Sequence, residues 1–138
     1  MASRAGASRA PVAAGVDLSS RESAQALLRT FFRIAQAWKL TPRECMTLLG
    51  LRSRSTYHLW KEGRAGALSR DTLERISYVL GIWKALQILL PGDEAADAWM
   101  RKPNSAPLFG GRSALDRLMS GNVADLYEVR RYLDAQRG

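Results

Sequence analysis

The stretch from Ser69 to Leu90 constrains this chain most, because it reads as one long helix with apolar residues on more than one face. Leu73, Ile76, Leu80 and Trp83 make one stripe at helical spacing, and Val79, Ile82, Leu86 and Leu90 make a second, offset from it. A single layer of neighbours cannot cover both stripes, so the helix should run between two sets of partners. Ser69 is placed to cap the first turn, Asp71 lies near the positive end, and Leu90-Pro91-Gly92-Asp93 supplies the stop. Charge divides along this spine. Residues 1–66 hold 11 Lys and Arg against 4 Asp and Glu, whereas residues 67–138 hold 10 against 9, so nearly all of the net +8 precedes the helix. Two jobs on two sides of one spine follow, with a polyanion as the expected partner of the first half.

With 138 residues the chain can form one compact domain or two small helical modules sharing a core. A single cysteine, Cys45, excludes an intrachain disulfide and a multi-cysteine zinc site, and a single histidine, His58, leaves little for metal or acid–base chemistry. No nucleophile has a base beside it, and no phosphate loop is present, so neither an enzyme nor a cofactor is expected. No apolar run approaches the roughly 20 residues that span a bilayer, which points to a soluble cytoplasmic protein without a membrane partner.

Residues 1–18 are rich in Ala, Gly, Ser and Arg and read as a disordered basic arm. Ser19-Ser20-Arg21-Glu22 resembles a capping box, after which Ala24, Leu27, Leu28, Phe31, Ile34 and Trp38 mark an amphipathic helix. In Thr41-Pro42-Arg43-Glu44 a hydroxyl cap, a proline at the first helical position and a glutamate three residues after the cap start a second helix. Cys45, Leu48 and Leu49 form its inner face, and Gly50 is its left-handed terminator. A tight turn through Leu51 and Arg52 leads to Ser53, which opens a short helix ended by Gly63. Two short helices joined in this way spell helix-turn-helix. With Tyr57 and Trp60 packed inward, Arg54, Ser55 and His58 face out and Lys61 lies near the end. Arg52, Arg54, Ser55, Thr56, His58 and Lys61 are therefore the candidate DNA-binding residues, the arginines suited to guanine edges and the hydroxyls to phosphates.

After Pro91 a brief helix through Ala95 to Met100 gives way to an extended Pro103-Asn104-Ser105-Ala106-Pro107. The pair Gly110-Gly111 precedes a Ser113-x-x-Asp116 cap and a helix carrying Leu115, Leu118 and Met119. Gly121 ends that helix. Asn122 with Asp125 should cap a last one, with Val123, Leu126, Val129 and Leu133 inside and Arg130, Arg131 and Arg137 outside.

Gly50 to Gly63, with Ser53-Arg54-Ser55-Thr56-Tyr57 and Trp60, resembles the recognition segment of Xre-like and resolvase-like helix-turn-helix regulators. Trp99, the run from Asn104 to Asp116 and Tyr132-Leu133-Asp134-Ala135 closely resemble the toxin-binding domain of Xre/MbcA/ParS antitoxins, although Ala114 stands where proline is expected. The resemblance implies an all-α protein: a helix-turn-helix DNA-binding domain over 19–84 and a small helical toxin-binding domain over 85–138 that share the long central helix. It further implies a homodimer that binds its own promoter DNA and neutralises a RES-domain, NAD-consuming toxin by covering its active site. Asn104, Phe109, Arg112, Arg130, Arg131, Tyr132 and Arg137 are the expected toxin contacts, as cations and aromatic anchors for a cleft that receives a dinucleotide. The alternative is a stand-alone transcriptional regulator in which everything after Pro91 serves dimerisation.

Overall fold

The computed structural model describes residues 21–138; the arm and the capping box over Ser19-Ser20-Arg21-Glu22 lie in or run into the preceding segment, outside the described residues. Seven helices follow in order: α1 Arg21–Ala37, α2 Pro42–Leu49, α3 Arg54–Lys61, α4 Arg70–Leu89, α5 Asp93–Ala98, α6 Ala114–Leu118 and α7 Val123–Gln136. A 3-10 turn over Trp99–Arg101 continues α5, and one isolated bridge joins Pro103 to Ser113. No strand forms among the described residues, and none of their helices is long and apolar enough to cross a membrane.

The long helix is the spine. Ser69 Oγ accepts from Thr72 N at 3.1 Å to start α4, and the chain leaves it through Leu90 into Gly92, whose φ of +92° suits glycine. Its most extensive partner is α7, with α1, α5 and α2 also against it. Ile76, Val79, Ile82, Ala85 and Leu86 are buried, so the face shared with the neighbouring helices is continuous. The other expected stripe is less deep. Ile76 belongs to the core, but Leu73, Leu80 and Trp83 are only half-buried, since α1 and α7 flank that side of α4 without closing over it.

One core runs through both ends of the chain. Leu28, Phe31, Ile34 and Trp38 of the first helical segment join Cys45, Leu48 and Leu49 of α2, while Leu126, Val129 and Leu133 of α7 bury themselves in the same cluster. At about 25 cal/mol per Å² of apolar area, each such side chain contributes roughly 1.5–3 kcal/mol, so losing α7 would strip the spine itself.

The caps are local and mostly as the residue order predicts. Ser113 Oγ accepts from Asp116 N at 3.0 Å, and Asp116 Oδ2 accepts from Ser113 N at 3.4 Å. Asn122 departs from expectation, because its side chain makes no capping bond to α7. Asn122 N instead donates to Ser120 Oγ at 3.1 Å, and Asp125 is engaged by Ser120 and by Arg117 Nη2 at 3.0 Å. The Arg117 guanidinium offers the Asp125 carboxylate a charged hydrogen bond, which draws that side chain away from the Asn122 N–H; nothing in the structure accounts for the non-capping Asn122 side chain.

Candidate nucleic-acid and partner interfaces

The turn between α2 and α3 is built from backbone constraints. Thr41 Oγ1 accepts from Glu44 N at 3.1 Å, and Glu44 Oε1 accepts from Thr41 N at 2.9 Å, so the amide groups at the start of α2 are held reciprocally. Gly50 closes the helix at φ +75°, where Arg75 packs so near that an added Cβ would lie 2.9 Å from its Nε. The left-handed backbone therefore requires glycine, and any Cβ there would also push the Arg75 guanidinium aside. Arg75 is itself fixed by Asp71 at 2.9 Å and by the Thr47 carbonyl at 3.4 Å.

Ser53 Oγ then accepts from Thr56 N at 3.2 Å and sets the phase of α3. Tyr57 turns inward, edge-on to Phe32 at 5.9 Å, and Trp60 is half-buried beside it. Arg54, Ser55 and His58 are exposed along the opposite face, Arg52 is exposed in the turn, Lys61 is exposed at the end, and Thr56 is half-buried. Arg52 and Arg54 take part in no ion pair among the described residues, so both guanidinium groups are available to an outside acceptor. His58 packs edge-on to Tyr57 at 5.4 Å and Lys61 Nζ lies 5.9 Å from the same ring, which limits how far each can swing. Beneath this face burial pushes the Cys45 thiol up, against the opposing influences of Tyr57 and Lys61, making it a core group rather than a nucleophile.

The candidate toxin contacts divide between two flanks of α7. On one, Asn104 organises the loop: its side-chain Oδ1 accepts from Ala106 N at 2.9 Å, its N donates to the Arg112 carbonyl at 3.0 Å, and its carbonyl accepts from Gly111 N at 2.8 Å. Gly110 and Gly111 both adopt positive φ, +59° and +91°, which lets the loop close on itself. Arg112 projects from this loop with its side chain 76 % exposed. Phe109 does not project. It is 5 % exposed and stands edge-on between Trp99 at 5.8 Å and Tyr132 at 5.2 Å, so it fastens the loop to α7 and offers a partner no accessible surface. Tyr132 is half-buried in the same stack.

On the other flank, Arg130 lies across α4. Its Nε is 3.5 Å from Asp134, its Nη1 is 3.5 Å from the Ser77 carbonyl, and a Cβ at Gly81 would fall 2.5 Å from its Nε. Arg137 shares Asp134 at 3.6 Å. At 3.6 residues per turn Arg130 and Tyr132 point to nearly opposite sides of the helix, so one flat cleft cannot take all seven expected contacts. Arg131 lies between them, 69 % exposed and 4.0 Å from Glu128.

Two arginines with structural roles have no advance signal in the residue order. Arg117 Nη1 donates to the Leu108 carbonyl at 2.7 Å while Nη2 pairs with Asp125, tying the loop to the start of α7. Arg101 reaches back to Glu44 and Lys39. Both contacts join positions whose proximity only the packed fold creates.

Comparisons with known proteins agree with this geometry. Residues 17–81 match the family described as the antitoxin Xre-like helix-turn-helix domain, and residues 85–138 match the antitoxin Xre/MbcA/ParS C-terminal toxin-binding domain. The chain is 48 % identical over 128 residues to the uncharacterized protein y4oB of Sinorhizobium fredii (strain NBRC 101917 / NGR234), covering 93 % of this chain and 97 % of that protein. No solved structure matches. A helix-turn-helix with an outward donor face, followed on the same spine by the matched toxin-binding segment, makes this chain a member of the Xre/MbcA/ParS antitoxin family.

Proposed function

We propose that this antitoxin acts in the cytoplasm as a homodimer that represses its own promoter through α3 and neutralises a RES-domain toxin, sparing the cell's NAD. The observation that carries the reading is the exposed row of Arg54, Ser55 and His58 on a helix whose other side is locked into the core through Tyr57. A recognition helix needs this division, with donors free for base edges and phosphates and the inner face rigid. Dimerisation supplies two such helices, and half-sites about 34–36 Å apart, or a multiple of that, are then expected in the operator. The domain division at 84/85 assigns α1 to α3 and most of α4 to DNA, and the remainder to the toxin.

Toxin neutralisation is assigned to the exposed guanidinium groups of the C-terminal segment. Arg112 and Arg131 are the cations best placed to enter a cleft built for dinucleotide phosphates, since each side chain is more than two-thirds exposed. Arg130, Arg137 and Tyr132 border the same segment from its two flanks, and Asn104 and Phe109 shape the loop that carries Arg112.

The test is to express the chain with and without the product of the adjacent gene, recover the complex, size it, and measure cellular NAD and binding to the upstream DNA. Protection against NAD loss together with specific binding to that DNA is the expected result. Specific DNA binding with no toxin recovered would favour the stand-alone regulator.

A further inference from the structure

A groove of about 740 Å³ runs between α1 and α3, on a side of the helix-turn-helix that the exposed row of Arg54 and Ser55 does not occupy. Four cations border it. Arg29 and Arg33 stand one turn apart on α1, Lys39 follows the end of that helix, and Lys61 faces them from the end of α3. No acidic residue lines the groove. Among the described residues none of the four is in an ion pair; Lys61 has a ring contact, with its Nζ 5.9 Å from the Tyr57 centroid.

Like charges bordering an open concavity raise its positive potential, and no lining residue offsets it. An anion between the walls would. The volume lies within the range of small-molecule sites, roughly 300–1,000 Å³, so the matching ligand is compact and carries several negative charges. The floor narrows the choice further. Half-buried Phe32 and Trp60 line the groove with aromatic surface, and the exposed amide of Gln36 stands one turn beyond Arg33. Carboxylates of an acidic peptide would answer the charge but would leave the aromatic surface unused. A planar base answers it by stacking, with phosphates meeting the cations.

We propose that this groove binds a nucleotide, with its base against Phe32 and Trp60 and its phosphates on Arg29, Arg33, Lys39 and Lys61. Trp60 and Lys61 belong to α3, so an occupied groove touches the recognition helix directly. The proposal does not depend on DNA or toxin binding, because it is measured with neither present. The nucleotide has two possible sources with the same chemistry: a free nucleotide, or the nucleotides of a short single strand.

The full chain is titrated calorimetrically with ATP, adenosine, tripolyphosphate, a four-nucleotide oligodeoxyadenylate and hexaglutamate. Saturable ATP binding is expected, with adenosine and tripolyphosphate each weaker by roughly tenfold or more, because base and phosphates contribute together. The double substitution Arg29→Gln with Arg33→Gln, at exposed positions of α1, should weaken ATP by a similar factor while leaving the melting temperature unchanged. Should that variant be poorly folded, Lys39→Gln serves as the second probe with the same expected direction. An oligonucleotide tighter than ATP would identify a single strand as the source; the reverse would identify a free nucleotide. No saturable ATP binding, equal affinity for ATP and tripolyphosphate, tighter binding of hexaglutamate, or undiminished ATP affinity in folded variants would overturn the proposal.

Discussion

Arg101 Nη2 lies 2.9 Å from Glu44 Oε1 and 2.7 Å from the Lys39 carbonyl oxygen, partners 57 and 62 residues away in the chain. The arginine comes from the 3-10 turn of the toxin-binding half, and the glutamate is the residue that caps α2 of the helix-turn-helix. Lys39 has the positive φ of +57° that turns the chain from α1 toward α2. One guanidinium therefore holds both the cap and the turn that orient α2.

This clamp predicts a pH effect. Burial raises the Glu44 carboxyl, but the Arg101 hydrogen bond, the Thr41 N–H and the arginine's charge outweigh burial and leave it below its ordinary value of 4.5. A carboxylate depressed in the folded state contributes stability that is present above the unfolded value and is lost as pH falls through the folded one. Thermal stability of the wild type should therefore fall on acidification through and below about pH 4.5, and Arg101→Met should flatten that portion of the profile. At pH 7 a double-mutant cycle of Arg101→Met with Glu44→Gln should give a coupling of about 0.5–1 kcal/mol, modest because the arginine is partly solvated. Zero coupling with an unchanged acid profile would remove the clamp from the energetics.

The clamp also marks where residue order stops being informative. Thr41-Pro42-Arg43-Glu44, Gly50 and Ser113-x-x-Asp116 were legible because each cap is made by residues three or four apart. Helical phase alone turns Tyr57 and Trp60 inward, and the structure places the first fully and the second partly inside. Arg101 and Arg117 were invisible, since nothing local distinguishes a bridging arginine from a solvated one. Phe109 shows a related limit. A glycine-flanked aromatic in an irregular segment reads equally as an anchor for a partner or as a plug, and only the positions of Trp99 and Tyr132 decide for the plug. Trp83 lies on an apolar stripe of helical spacing, yet its side of α4 is only half covered.

The DNA-binding assignment predicts two different losses on one helix. Arg54→Ala should cost roughly 1–3 kcal/mol on the operator and relax base preference at one position, as expected for loss of a bidentate base contact. Lys61→Ala should weaken all sequences alike and reduce the salt slope by about one unit. Footprinting and titration across a salt series distinguish them; identical, salt-independent behaviour of both variants would reject this division of labour.

The spine predicts a graded packing response. Ile82 is fully buried, so Ile82→Ala should cost about 2–5 kcal/mol and lower a single unfolding transition. Trp83→Ala should cost less than the roughly 3–5 kcal/mol of a fully buried aromatic, because part of the ring already meets solvent. Denaturant titrations that rank the two in the opposite order would show that the half-covered side of α4 is the more important contact.

Gly81 separates a structural role for Arg130 from a recognition role. A methyl group there would meet the Arg130 Nε at 2.5 Å, but the obstacle is a flexible guanidinium stem that can move aside. Gly81→Ala also gains up to about 1 kcal/mol of helix propensity. The variant should keep or slightly raise its melting temperature while releasing Arg130 from Ser77 and Asp134. If toxin affinity then falls with stability intact, the placement of Arg130 over α4 matters for the partner; if it is unchanged, Arg130 serves the fold.

Removing residues 122–138 does not separate toxin neutralisation from DNA binding, because of how α7 is packed. Leu126, Val129 and Leu133 are buried, and α7 is the most extensive partner of α4, which in turn supports α1 and α2. Exposing that face forfeits roughly 1.5–3 kcal/mol for each of the three side chains, a loss comparable to the whole stability of an ordinary domain. The truncated protein should therefore lose promoter binding as well as toxin binding, by unfolding rather than by missing contacts. Charge reversal at exposed positions separates the functions instead. Arg112→Glu and Arg131→Glu alter side chains that are 76 % and 69 % exposed, so melting should change little and operator affinity should hold. Toxin binding should weaken at least tenfold if these cations enter its cleft, as expected when a like charge replaces a complementary one. Pull-down, melting and promoter titration of the same two preparations check all three outcomes. Full toxin affinity in both variants would move the contact surface away from these two arginines.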